Sequence, residues 1–327
     1  MSEQFDDLFD GGLDSKLDFL NDKKSVSADG IYRIDMSKVQ DKKKGYKSVL
    51  RFLPNFTKDE KVGQSAIEKI THYVNIKDMK ELSGYYDSPK NFGDKCPLTD
   101  LYYNMTNSKN AILVNKAKSL NYSKKYYSYV LVVEDEQQPE LVGKIMILQY
   151  GKTIKDKILS EKNGEISDPC NVFDLASGKN FVLLVKEIDT GDDTYPDYKN
   201  SMFKPEITSV PVYNEEKKAF KNAPVITDEV NGIERRKIDP KFQGIVKTFL
   251  LNREHDLEEF EPKRLTEEEQ AKITEISNFL TGKTSNSFQK ASSNDFDVTS
   301  DEDFMTEDTF NSSSTSDDDE DFFSDID

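Results

Sequence analysis

Across 327 residues the chain carries 62 Asp and Glu against 45 Lys and Arg, a formal net charge of -17, with 35% apolar and 33% charged residues and no Trp. So polar a composition cannot order the whole length, and a folded part shorter than the chain is expected. Only Cys96 and Cys170 are present, no secretory apolar core opens the sequence, and no apolar run approaches the roughly 18 residues of a membrane span, so a reducing cytoplasmic setting is expected in place of a disulfide scaffold or a helical membrane protein.

Residues 1–29 mix Asp, Gly and Ser with isolated Phe and Leu and read as a flexible arm. From Ile31 to Ile188 the pattern is strand-like: apolar stretches at Ser48–Leu53, Ile70–Ile76, Tyr126–Val133, Lys144–Tyr150 and Phe181–Ile188 predict short strands, with a helix opening after Gly151 on Ile154, Ile158 and Leu159. Several short strands with one intervening helix fit a mixed β fold with helices, built on an OB-fold-like small β-barrel core over 30–204. Tyr195–Pro224 is Pro-punctuated, and 205–282 reads as a linker followed by a helical region. There Asp239-Pro240 predicts a helix start with Phe242, Ile245, Val246, Phe249 and Leu250 on one face. A capping box at Thr266 and Glu269 predicts a second helix with Ile273, Ile276, Phe279 and Leu280 buried and Gly282 as its stop. Residues 283–327 read as a disordered acidic tail bearing spaced phenylalanines.

The charge is segregated. Residues 291–327 hold 14 acidic and no basic side chains and residues 1–22 hold seven acidic and one basic, which leaves 44 basic against 41 acidic residues in 23–290. Residues 31–162 carry 24 Lys and Arg against 16 Asp and Glu, so an anion-attracting surface belongs in that half.

Single-stranded nucleic acid is held by aromatic faces that stack on bases, set in a Lys/Arg groove that follows the phosphates. Lys116, Lys118, Tyr122, Lys124, Lys125, Tyr126, Tyr127 and Tyr129 supply both ingredients and run directly into the strand Val130–Val133. Alternation puts Tyr127 and Tyr129 on one face and Tyr126 on the other, so the roles divide and at least one ring belongs to the core. Further candidates are Tyr102 and Tyr103, Tyr150 with Lys152 and Lys155, and the basic run Lys42, Lys43, Lys44 with Lys47 and Arg51.

Arg51-Phe52-Leu53-Pro54, Cys96-Pro97, Lys125 to Val133, Val142-Gly143-Lys144, Gly151-Lys152 through Lys157-Ile158, Phe181 to Lys186 with Tyr195, and the Asp/Ser/Phe-rich end follow one another in an order that resembles the T-even-type bacteriophage single-stranded DNA-binding, helix-destabilising proteins. The resemblance implies an OB-fold core that grips single-stranded DNA, an accessory subdomain near 66–110, self-association along DNA, and an acidic tail that recruits polymerase, helicase-loading and recombination proteins in the cytoplasm of an infected bacterial host. It gives Tyr126, Tyr127 and Tyr195 the stacking role and the neighbouring lysines the phosphate role.

The sequence departs from that family in two places. The family holds zinc with one His and three Cys, whereas only His72 and Cys96 stand here, with Thr99 at the position of the last Cys. No structural zinc and no other cofactor are expected, His72 is expected to be a core histidine with one hydrogen-bonded nitrogen, and the loop Lys77–Lys95 is expected to be held by Tyr85, Tyr86 and Phe92. The N-terminus is acidic where the family has a basic arm, with Lys23-Lys24-Ser25-Val26-Ser27 as a weak, displaced match.

No enzymatic motif survives inspection. Gly-Lys-Thr at 151–153 and 282–284 lacks the upstream Gly of a phosphate loop, Met146 and Ser277 standing in its place, and the acidic pairs lie mainly in the tail. A phage adaptor or scaffold with a purely structural barrel is the alternative from another class, and it leaves the Lys/Tyr clustering unexplained. A single-stranded RNA-binding OB protein would use the same stacking physics.

Overall fold

The computed structural model describes residues 30–281 apart from 42, 58, 60, 77–78, 166, 190–193 and 231–232. The arm at 1–29, Lys42, Gly282 and the tail at 283–327 lie outside the described residues.

Strands β1 (Tyr46–Phe52), β2 (Ile67–Val74) and β3 (Gly84–Asp87) come first. Two helices follow that the sequence pattern did not announce, α1 (Pro97–Thr106) and α2 (Ala111–Ala117). Pro97 sits in the first turn of α1, where a missing N–H costs nothing, and the Asn110 side chain caps α2 by accepting from the Ile112 N–H at 2.9 Å. The chain then runs through β4 (Leu120–Asp135), β5 (Ile145–Tyr150), α3 (Lys152–Asn163) and β6 (Gly178–Asp189).

Beyond Asp189 come β7 (Thr194–Asp197) and β8 (Met202–Thr208), and the linker expected from residue 205 is largely strand: after the end of β8 it holds two separate ribbons, β9 (Pro211–Asn214) with β10 (Ala219–Asn222) and β11 (Val225–Val230) with β12 (Ile233–Ile238). Helices α4 (Pro240–Leu251) and α5 (Glu267–Thr281) form where expected. Asp239 accepts from the Lys241 N–H at 3.0 Å, and Thr266 and Glu269 exchange the two bonds of the capping box. Ile245 and Phe279, both assigned to buried faces, are exposed instead. No helix among the described residues is long and apolar enough to cross a membrane.

Eight strands form one antiparallel sheet in the order β3-β2-β4-β1-β6-β7, with β5 also paired to β4 and β8 to β6. These pairings leave an open path and do not close the expected barrel; the architecture is a mixed α/β fold around a large antiparallel sheet. Strand β4 organises it. Its first half pairs with β2, and its second half pairs with β5 and, across a bulge, with β1.

Both faces of β4's second half are covered, which explains its unbroken apolar run. Val130 and Val132 enter a core with Leu50, Phe52, Phe181 and Leu183 and with Ile154 of α3. Tyr129 and Leu131 enter another with Leu53 and with Val246 and Leu250 of α4. A third core lies at the far end of the sheet, where Val74, Leu82, Tyr86, Leu98, Leu101 and Met105 pack against Ile273, Ile276 and Leu280 of α5. The hydroxyls of Tyr32 and Tyr46 both donate to the buried Asp135 carboxylate, which ties the segment following residue 30 to the end of β4.

Candidate nucleic-acid interface

Residues 122, 124 and 126 alternate onto the side of β4 where α1 and α3 stand, and residues 125, 127 and 129 onto the other. Opposite them β2 sets His72, Ile70 and Glu68 in register with Tyr122, Lys124 and Tyr126. The first face therefore has a floor of β4 and β2 with a helix at each end. At about 3.3 Å per residue, Tyr122 and Tyr126 stand about 13 Å apart along it, with Lys124 between them.

At the α1 end three rings come together. Tyr122 lies 6.5 Å from Tyr102 in a stacked arrangement and 6.4 Å from Tyr103, and Tyr102 meets Tyr103 edge-on at 5.5 Å. All three are half-buried, so each keeps surface for a ligand. The Lys90 ammonium stands 5.8 Å from the Tyr103 ring centroid. At the α3 end Tyr126 stacks on Tyr150 at 5.7 Å and carries the Lys155 ammonium over its ring at 5.5 Å. Between the two ends Lys124 Nζ pairs with Glu68 Oε1 at 2.8 Å.

Burial holds Tyr122, Tyr126 and Tyr150 neutral. It raises Tyr122 to about 12, helped by the neighbouring Tyr103, Cys96 and Glu68, and raises Tyr150 to about 12. Tyr126 is pushed up by burial and then by the negative charge of the nearby Glu68 carboxylate, which favours the protonated phenol. These rings add no negative charge to a lysine-bearing surface at neutral pH.

Several sequence candidates stand elsewhere. Arg51 is fully buried; its guanidinium donates to the carbonyls of Asp174 at 2.8 Å and Thr208 at 3.0 Å. It is a core cation clamping β1 to β8, not a surface phosphate ligand, and burial lowers its pKa to about 10. Gly178 makes room for it, since a Cβ there would overlap the guanidinium. Tyr129 is core as well: its hydroxyl accepts from the Leu257 N–H and donates to the His255 carbonyl, and Arg253 covers its ring at 4.5 Å. Tyr150 is buried, its hydroxyl bonded to Ser128. Tyr127 turns to the opposite face and stacks on Phe260 at 5.0 Å.

Tyr195 is half-buried on β7, separated from β4 by β1 and β6. Lys125 is half-buried on the face of Tyr127, and Lys43, Lys116, Lys118 and Lys152 are exposed. The structure thus brings Tyr102, Tyr103, Lys124, Tyr126, Tyr150 and Lys155 together. It joins to them Tyr122 from the same Lys/Tyr cluster, and adds Lys90 and Glu68, which were not among the candidate site residues. The 122-124-126 alternation carried the signal for Tyr122; nothing local announced Lys90 or Glu68.

The residues that stand for the family's zinc ligands, His72 and Cys96, lie together with Thr99. His72 Nε2 lies 3.6 Å from Cys96 Sγ and 2.9 Å from Thr99 Oγ1, and its Nδ1 has no partner. No group of three or more His, Cys, Asp or Glu side chains is placed to hold a metal among the described residues. Apolar packing holds this end of the sheet. Tyr86 is buried within it and Phe92 lies under Arg264, but Tyr85, expected to pack, is 77% exposed.

Residues 44–232, more than half of the chain, match the family model described as gp32 DNA binding protein like. No curated protein matches the chain.

Proposed function

The chain belongs to the gp32-like DNA-binding family, and from that premise we propose that it binds single-stranded DNA with little sequence preference, without catalysing a reaction and without a structural metal or other cofactor. The observation that carries the reading is the half-buried trio formed by Tyr102 and Tyr103 of α1 with Tyr122 of β4, on the strand face that also bears Lys124. Bases stack on the open parts of these rings, each contributing about 1–3 kcal/mol, and the lysines take phosphates. Tyr126 lies beneath Lys155 and Tyr150, so it engages a base only after Lys155 swings from its ring to a phosphate.

Strands that bind here leave the duplex equilibrium, and duplex DNA melts by mass action. In this reading the core is an OB-type fold, the protein coats and protects single strands during replication, recombination and repair in the cytoplasm of an infected bacterial host, copies associate along the strand, and the acidic tail recruits partner proteins.

Titration of intrinsic tyrosine fluorescence tests the proposal, because the chain has no Trp to mask it. Oligo-dT is expected to quench strongly and in a salt-sensitive way, with matched duplex and oligo-rU weaker. No quenching and no binding by the full chain or by a form lacking the tail would overturn it, and equal or tighter binding of oligo-rU would move the assignment to RNA.

A further inference from the structure

Of the residues that β2 presents to the cleft, Glu68, Ile70, His72 and Val74, Glu68 alone carries charge. Its carboxylate takes the Lys124 ammonium at 2.8 Å, and its charge also acts on the neighbouring Tyr126 phenol. It therefore occupies, in the absence of nucleic acid, the lysine midway along the floor that a phosphate would otherwise engage. We propose that Glu68 is an internal stand-in for a DNA phosphate: it occupies Lys124 in the free cleft and must give it up when single-stranded DNA enters.

The inference rests on reading this face as the DNA site. The exposure of the pair makes the exchange feasible. The Lys124 and Glu68 side chains are 38% and 44% accessible, so water screens the pair and it is weakly held. An entering strand brings a full negative charge together with the stacking of the flanking bases on Tyr122 and its neighbours, which Glu68 cannot match. Asp156 of α3 adds a second negative charge near Tyr126, but the ammonium of Lys124 is held by Glu68.

Two consequences follow. Glu68 lowers affinity, since part of the phosphate attraction is spent on separating an existing pair. It also lowers the salt dependence, since a lysine already neutralised within the protein displaces fewer counterions from DNA.

The test is Glu68→Gln in the full chain, with fluorescently labelled oligo-dT followed by anisotropy across a salt series. Affinity is expected to rise about two- to fivefold at low salt, and the slope of log K against log salt to steepen by up to about 0.7, the share of one phosphate contact on a single strand. Lys124→Gln is expected to cost more in the Glu68→Gln background than in the wild type. Glu68→Ala, which removes the whole carboxylate group, should give the same rise if charge is the cause. Wild-type binding that both variants reproduce in affinity and slope would overturn the stand-in role while leaving the DNA site intact. Failure of the wild type itself to bind would overturn both.

Discussion

The Sγ of Cys96 stands 3.6 Å from Nε2 of His72, and that same nitrogen is bonded to Thr99 Oγ1 at 2.9 Å. Burial lowers His72 from the usual 6.5 to about 4, with the Lys90 charge adding to it. Above pH 6.5 the ring is neutral in both the folded and unfolded chain and contributes nothing to the pH dependence. As pH falls from 6.5 towards 4 the unfolded chain takes up a proton that the folded one refuses, so stability drops, by at most about 3 kcal/mol before both states are protonated. The fall in Tm between neutral and mildly acid pH is expected to be smaller for His72→Gln than for the wild type. Equal falls in the two proteins would show that His72 does not contribute.

Apolar packing by α5, with no metal, is expected to hold the far end of the sheet. Ile276 is fully buried among Leu98, Leu101 and Met105, and Ile276→Ala should cost about 2–5 kcal/mol. Because α1 carries Tyr102 and Tyr103 and packs on α5, the same change should weaken oligo-dT binding. A strong chelator should alter neither Tm nor affinity. A chelator-induced loss of stability comparable to that of the mutation would contradict this account.

Tyr122 and Tyr129 lie on opposite faces of one strand and are expected to separate binding from folding. Tyr122→Ala should lose about 1–3 kcal/mol of oligo-dT affinity, with Tyr122→Phe close to the wild type because stacking needs the ring and not the hydroxyl. Tyr129→Phe removes a hydroxyl bonded to Leu257 and His255 and should lower Tm with affinity unchanged. A parallel set of melting curves and oligo-dT titrations decides; the reverse pattern would place the site on the other face.

Arg51, although cationic, should behave as a core residue. Arg51→Met abandons the carbonyls of Asp174 and Thr208 and is expected to cost about 1–3 kcal/mol of stability. The salt dependence of DNA binding should not change. A slope reduced by about 0.7, as for a lost phosphate contact, would return Arg51 to the interface.

The tail concentrates 14 acidic and no basic residues in 291–327, and such a segment competes with DNA for lysines. Deleting it is expected to raise oligo-dT affinity and the capacity to lower duplex melting temperature, with the gain fading as salt screens the competition. Unchanged binding at low salt would remove this role.

Periodicity, capping and composition were enough to locate β1, β2, β4, β5, α3, β6, α4 and α5. Asp239-Pro240 and Thr266 with Glu269 set helix starts by bonds to their own backbone, which do not depend on distant residues. The ribbons β9 to β12 escaped because polar, Pro-interrupted strands paired in twos bury little and leave no strong alternation. Helices α1 and α2 escaped because they are short, and the apolar side chains of α1 matter only once α5, more than 160 residues later, packs on them.

For the site, the sequence by itself determined that lysines and tyrosines cluster before Val130 and that alternation must divide them between two faces. It did not determine which face is open. Alternation assigns side chains to faces, whereas the surroundings of each face come from elements remote in the chain: Phe260 against Tyr127, Arg253 against Tyr129, α1 and α3 beside Tyr122 and Tyr126. Only the tertiary structure decided that Arg51 spends its charge inside and that Glu68 reaches diagonally across to Lys124, because both depend on long-range register and burial.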